Sequence, residues 1–155
     1  MTDADHQAGY ASVNGLEMYY EIHGTGEPLV LLHGAFSAIG TSFGNVLPEL
    51  AKTRRVIAFE MQAHGHTADI DRPLSMEQMA DDTAAALQQL GIENADFFGY
   101  SMGAGIALQV AIRHPGDGAQ TRARLGHLQR ERPPPWADGR FGGDETRNDV
   151  WLALA

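Results

Sequence analysis

The sequence predicts an α/β fold: a β-hairpin followed by β-α-β-α-β-α, mostly parallel, with helices on the faces of the sheet. Three observations carry that prediction. Asn14-Gly15 separates two strand-like runs, a strong hairpin signal. Leu29-Val30-Leu31-Leu32 is a short continuous apolar run, as expected of a strand buried on both faces. Helical periodicity then alternates with further short apolar runs as far as Pro115, beyond which no period survives.

Taken in order, Tyr10–Val13 and Leu16–Ile22 form the arms of the hairpin, and Leu29–Leu32 is the next strand. Ser42 to Lys52 reads as one helix, with Phe43, Val46, Leu47 and Leu50 at helical spacing and Pro48 an awkward interior residue. Arg55–Met61 is a strand. Ser75 to Leu90 is the clearest helix: Ser75 is the N-cap, Gln78 completes a capping box, and Gly91 sits where a C-cap glycine belongs. Ala95–Phe98 is a strand, and Met102 to Arg113 is a helix stopped by Pro115.

Composition narrows the function. The chain has 155 residues, 43% hydrophobic and 20% charged, which is ordinary for a globular protein and fits one domain. Twenty acidic against 11 basic side chains give a formal charge of -9, so electrostatic binding to nucleic acid or an anionic membrane is not expected. No apolar run approaches the roughly 20 residues of a membrane span. Met1 to His6 lacks the basic and apolar blocks of a signal peptide, so a cytoplasmic location is expected. The absence of cysteine excludes disulfides, thiolate zinc sites and cysteine nucleophiles.

The sharpest chemical signal is Gly99-Tyr100-Ser101-Met102-Gly103, which follows a strand and opens a helix. That is the setting of a nucleophile elbow. A turn so tight forces Ser101 into a strained backbone conformation, and a side chain at Gly99 or Gly103 would collide with neighbouring backbone. The Met102 N–H then points where the helix N-terminus already favours negative charge. Gly105 is expected to allow close helix–sheet packing. The second signal is His33-Gly34-Ala35-Phe36, directly after a strand. An acyl-transfer site needs two N–H donors for the developing oxyanion, and Ala35 is the candidate for the second. His33 reads as a structural histidine that hydrogen-bonds backbone and supports the site indirectly, with Gly34 beside it. His64-x-His66 has the spacing of a metal pair but no third ligand nearby, so no metal site is expected. Asp69, Asp71, Asp81 and Asp82 read as solvated loop and helix-surface acids.

Together these residues resemble the α/β-hydrolase superfamily. The landmarks are Leu31-Leu32-His33-Gly34, Glu60 to Thr67, Gly99-Tyr100-Ser101-Met102-Gly103 and Arg113-His114-Pro115. The second of these reads D-x-R-G-x-G-x-S in many relatives. Here Glu60, Gln62 and Ala63 depart from it while Gly65 is retained, which bears on loop shape more than on chemistry. The combination looks most like the small esterase and lactonase-type members. Serine at the elbow argues against the dehalogenase and epoxide hydrolase branches, which place aspartate there. The resemblance implies a serine hydrolase that cleaves a small-molecule carboxylic ester or related acyl bond through an acyl-Ser101 intermediate, with no cofactor. Met102 and Ala35 would form the oxyanion hole, with His33, Gly34, Gly99 and Gly103 supporting it.

The resemblance covers residues from about Gly9 to Pro115 and implies only the N-terminal part of such a sheet. A triad also needs a base histidine and an orienting acid downstream of the serine. His114 lies at the far end of the elbow helix, and His127 and Asp117, Asp138, Asp144 and Asp149 lie in the patternless stretch, so no triad acid or histidine is expected in this chain. The acidic excess lies entirely in residues 1–116, which marks them off from the rest, and the resemblance implies that they are a partial, truncated domain. Residues 117–155 are charge-neutral, broken by Pro133-Pro134-Pro135 and Gly142-Gly143, and expected to be a non-homologous, frameshifted and disordered tail. One extra base after codon 115 would account for the change, because the other frame permits Lys-Leu-Val-Leu-Ala-Ser-Ala at positions 120–126. Gln120 before Thr121 forces lysine or arginine there. The alternative to a shifted frame is a genuine divergent tail that folds in its own way. The chain is accordingly expected to have little or no turnover. The alternative is a non-catalytic, hydrolase-like binding protein, or a fragment that needs a complementing chain, with self-association through an exposed sheet edge.

Overall fold

The computed structural model describes residues 6–115 and the backbone of Arg122–Ala123. β1 (His6–Val13) and β2 (Leu16–His23) form the hairpin in continuous antiparallel register. Its two-residue turn places Asn14 at φ 50° and Gly15 at φ 82°. Both central residues are left-handed, which matches the twist of the arms and explains the Asn-Gly pair. β3 (Glu27–Leu32) and β4 (Arg54–Phe59) run parallel, and β5 (Asp96–Gly99) joins β3 on its other side. The sheet order is β1-β2-β4-β3-β5-β6, where β6 is Arg122–Ala123, parallel to Asp96 and Phe97 of β5. Two residues of the segment expected to be irregular are therefore paired. Otherwise the expectation for residues 117–155 lies outside the described residues.

Side-chain alternation divides the core into two layers. Val30, Leu32, Ile57 and Phe59 face one side and pack with α3 (Met76–Gln89) and α4 (Met102–Arg113). Leu29, Leu31, Val56 and Ala58 face the other and pack with Ile39, Phe43 and Leu47. Both faces are thus dry over Leu29–Leu32 of β3 and Val56–Phe59 of β4, which is why these stretches are unbroken apolar runs. Each fully buried Leu, Ile or Phe side chain contributes about 1.5–3 kcal/mol.

The single helix expected from Ser42 to Lys52 is instead two short ones, α1 (Ile39–Phe43) and α2 (Leu47–Leu50). Pro48 stands in the first turn of α2, where a missing N–H costs nothing, rather than inside a longer helix. The apolar spacing was a true sign of burial but not of continuity. α3 begins as expected, with Ser75 Oγ accepting from Gln78 N–H at 3.1 Å. The capping box is only half made, because the Gln78 side chain donates to Asp82 instead. At the other end Ile92 N–H reaches Leu87 O and Gly91 N–H reaches Gln88 O, with Gly91 at φ 68°. This paired closure requires a left-handed residue, hence glycine.

Asp82 corrects the reading of the acids. It is 1% exposed, and its carboxylate accepts from Asn14, Arg72 and Gln78. Its acidic side chain suggested a solvated surface position, but Arg72 comes over from the preceding loop and Asn14 of the hairpin turn also reaches it. Asp81 is also engaged, with Arg113 and His114, while Asp69 and Asp71 stay exposed. Among the described residues, no helix is long and apolar enough to cross a membrane.

Removing one partner of a buried pair strands the other charge. Asp82→Ala is therefore expected to cost about 3 kcal/mol or more. Asp71→Ala, on the exposed loop, should stay within about 0.5 kcal/mol. Urea unfolding of the two variants checks the contrast.

Candidate active site

The topology concentrates the chemistry at one edge. Phe59, Leu32 and Gly99 are in register, so β4, β3 and β5 end side by side. From β3 the chain passes to β4 on one side and later returns to β5 on the other. The loops after β3 and β5 therefore diverge from a switch point in the strand order, where open parallel sheets bind ligands.

The loop after β5 is a single turn. Tyr100 N–H donates to Leu32 O at 3.0 Å, Ser101 follows, and α4 starts at Met102. Ser101 has φ 52° and ψ -113°, a region that costs a non-glycine residue about 1–3 kcal/mol. The packing beneath it leaves no alternative. A Cβ on Gly99 would lie 2.3 Å from Gly103 O, and one on Gly103 would lie 2.0 Å from Leu32 O. Both flanking glycines are thus required by backbone contact, as the sequence predicted. Gly105 is different: its Cβ would meet Met76 Sδ at 2.5 Å. It serves the packing of α4 on α3, not helix–sheet packing as expected, because Gly103 already occupies the position facing β3.

The loop after β3 lies against this turn, since a Cβ on Gly34 would come within 2.8 Å of the Tyr100 ring. His33 is fully buried and holds the loop. Its Nε2 accepts from Met61 N–H at 3.0 Å, so the proton sits on Nδ1 and is donated to Gly34 O at 2.7 Å. Both ring nitrogens are used, which makes His33 the structural histidine expected. Burial, then the nearby His64, lowers its pKa, while the Gly34 carbonyl pulls the other way. Ala35 and Phe36 are exposed beyond it, Phe36 at φ 56°. Among the described residues neither Ala35 N–H nor Met102 N–H donates to another protein group. Met102 is the first residue of α4, whose leading amides have no partner inside the helix.

A buried acid braces the same edge from the β4 side. Glu60 accepts from Ile39 N–H at 3.2 Å with one oxygen, and from His66 N–H and Nδ1 with the other. A Cβ on Gly65 would lie 2.1 Å from that carboxylate, so Gly65 is retained where its neighbours depart from the usual motif. Gln62, 2% exposed, ties Asp69, Ile70 and Arg72 into the loop. Glu60 and Gln62 thus shape the loop through their hydrogen bonds. His64 Nδ1 binds Gln62 O and His66 Nδ1 binds Glu60, so each ring is tied into the loop by its own partner.

Among the described residues no histidine is hydrogen-bonded to Ser101. His114 caps the far end of α4 and pairs with Asp81 at 2.8 Å, and the Arg113 guanidinium holds that carboxyl below its usual range. His127 and the downstream acids lie outside the described residues. An open groove of about 790 Å³ between α3 and α4, lined by Leu87, Ile92, Phe97 and Val110, shares no residue with the elbow. The sequence reading missed one cluster: His6, Glu21 and His23 converge on the hairpin. A two-residue turn at Asn14-Gly15 already implied that His6 and His23 are opposite each other.

The model of the family described as alpha/beta hydrolase fold matches residues 27–118. The 2-hydroxymuconate semialdehyde hydrolase of Pseudomonas sp. (strain CF600) is 43% identical over 96 residues, covering 59% of this chain and 34% of that enzyme. The chain thus spans about a third of that relative. Among solved structures, an enol-lactonase from Burkholderia xenovorans LB400 superposes with a TM-score of 0.64 at 31% identity, over 71% of this chain and 43% of its own. The epoxide hydrolase CorEH superposes at 0.67 and 29% identity, over 70% and 38%.

Two outcomes follow from the geometry. Gly103→Ala drives a Cβ into fixed backbone, whereas Gly105→Ala meets only the end of a flexible methionine. Gly103→Ala should destabilise by about 3 kcal/mol or more and Gly105→Ala by clearly less, read by thermal unfolding. His33 is held neutral, so its contribution to stability is full above the free-imidazole value of 6.5 and is lost as pH falls from there toward the lowered folded-state value. Denaturation at about pH 7.5 and about pH 5.5 should show a larger loss for the wild type than for His33→Gln.

Proposed function

Because the chain belongs to the alpha/beta hydrolase fold family, we propose that it carries the nucleophile half of a serine hydrolase acting on a small carboxylic ester or related acyl bond. The observation that carries this reading is the backbone of Ser101, strained at φ 52° at the N-terminus of α4 on two obligatory glycines. Such strain persists where the surrounding structure over-determines it and the position has a use. The enol-lactonase among the structural relatives supports an acyl–oxygen bond as the target.

In this mechanism Ser101 Oγ attacks the substrate carbonyl carbon and its proton passes to a histidine base. The carbonyl oxygen becomes an oxyanion and accepts from Met102 and Ala35 N–H. Collapse of that intermediate expels the alcohol, which takes the proton from the histidine, and water then releases the acid from acyl-Ser101 by the same two steps. His33 keeps the Ala35 loop in place without exchanging protons, since both its nitrogens are committed. The base and its orienting acid belong to the part of the fold that the relatives have beyond the matched region. On this reading the chain alone has little or no turnover.

A second reading is favoured by the sheet edge. Among the described residues β6 pairs with Asp96 and Phe97 of β5, and Tyr100 and Ile112 are exposed. A non-catalytic binding protein, or a fragment joined by a complementing chain or a second copy, would use that edge. In light scattering and thermal unfolding, a monodisperse, cooperatively melting monomer supports the binding protein, and a concentration-dependent mass or protease-sensitive product supports the fragment.

The first reading is tested by joining residues 1–115 to the remaining C-terminal part of the 43%-identical Pseudomonas hydrolase. The chimera should hydrolyse p-nitrophenyl acetate, and Ser101→Ala should lower its rate by about 1,000-fold or more. A chimera whose rate survives Ser101→Ala removes Ser101 from the mechanism. Robust hydrolysis by the chain alone, lost in Ser101→Ala, contradicts the inactivity.

A further inference from the structure

We propose that His6, Glu21 and His23 form a divalent transition-metal site of the zinc class that clips the edge strand β1 to β2. The hairpin register puts His6 directly opposite His23, and Glu21 lies two residues before His23 on the same face of β2. One ligand atom from each of the three lies within 4.8 Å of the others. A tetrahedral zinc ion with bonds of about 2.0–2.2 Å holds its ligand atoms about 3.3 Å apart, so small side-chain rotations close the set. His23 Nε2 already stands 2.7 Å from Glu21 Oε2, and the His6 and His23 rings are stacked with centroids 4.5 Å apart.

The carboxylate is oriented from behind. Tyr19 donates its hydroxyl to Glu21 Oε1 at 3.1 Å, leaving Oε2 facing the histidines. Outer hydrogen bonds of this kind fix the ligands of metal sites. Two imidazoles and one carboxylate suit zinc, nickel or copper rather than magnesium or calcium, which prefer oxygen alone. The site is separate from the elbow. His23 pairs with Val56 in the middle of β4, whereas Ser101 emerges beyond the carboxyl ends of the strands.

Isothermal titration of the full chain with zinc chloride, after treatment with a chelator, tests the site. The expected result is one zinc ion per chain at this site, with affinity weakened about tenfold or more by His23→Ala and likewise by His6→Gln, and unchanged by His66→Ala. Magnesium chloride should give no heat. Zinc should also raise the Tm of the wild type and not that of His6→Gln, whose exposed position keeps the variant folded. Absence of zinc binding by the wild type, or binding that persists unchanged in the His6→Gln/His23→Ala double variant, overturns the proposal.

Discussion

A helix that leaves a parallel strand within two residues must pass its first turn against the neighbouring strand. In this protein that contact is Gly103 on the Leu32 carbonyl, with Gly99 tucked against Gly103 from below. Everything at the carboxyl edge depends on it. It sets the depth at which α4 lies on β3, forces Ser101 to φ 52°, and turns the Met102 amide outward. The strain at Ser101 is balanced by the apolar contacts of Ile106, Ala107 and Val110, which bury the rest of α4 against the sheet. Fold stability and the exposed serine are thus two results of one close approach.

The loop after β3 is fixed by a different device, hydrogen bonding rather than packing. His33 spans from Gly34 O to Met61 N–H and so links the loops after β3 and β4. Glu60 joins the start of α1 to His66 through its two oxygens. A carboxylate and an imidazole, both fully or nearly fully buried, hold irregular backbone where a strand ladder has ended. Buried polar groups with every partner in place give rigidity where a packed apolar core does not reach.

Much of this was legible in the sequence because the deciding interactions are local. Asn14-Gly15 names its own turn, Ser75 and Gly91 mark the two ends of α3, and Gly99 to Gly103 encode a strand–turn–helix within five residues. The misreadings have physical causes as well. Asp82 sits at helical spacing with the buried Met79 and Ala86, but its charge was weighed above its position, and its partners Arg72 and Asn14 lie outside the helix. Gly105 is placed by Met76 of another helix, of which its own helix carries no trace. Pro48 was legible but misweighted: the apolar spacing from Phe43 to Leu50 suggested one helix, while the proline marked the start of a second. The His6–His23 pairing followed from the hairpin register and needed only to be counted across the turn.

The exposed serine depends on strain held at Ser101 by the packing beneath it, and comparing Ser101→Gly with Ser101→Ala by urea unfolding measures that directly. Glycine adopts a positive φ freely whereas alanine is as strained as serine, so Ser101→Gly should be more stable than Ser101→Ala by about 1 kcal/mol, even after glycine's greater unfolded-state entropy. Equal stability of the two variants, or greater stability of Ser101→Ala, would contradict a strained elbow at this position.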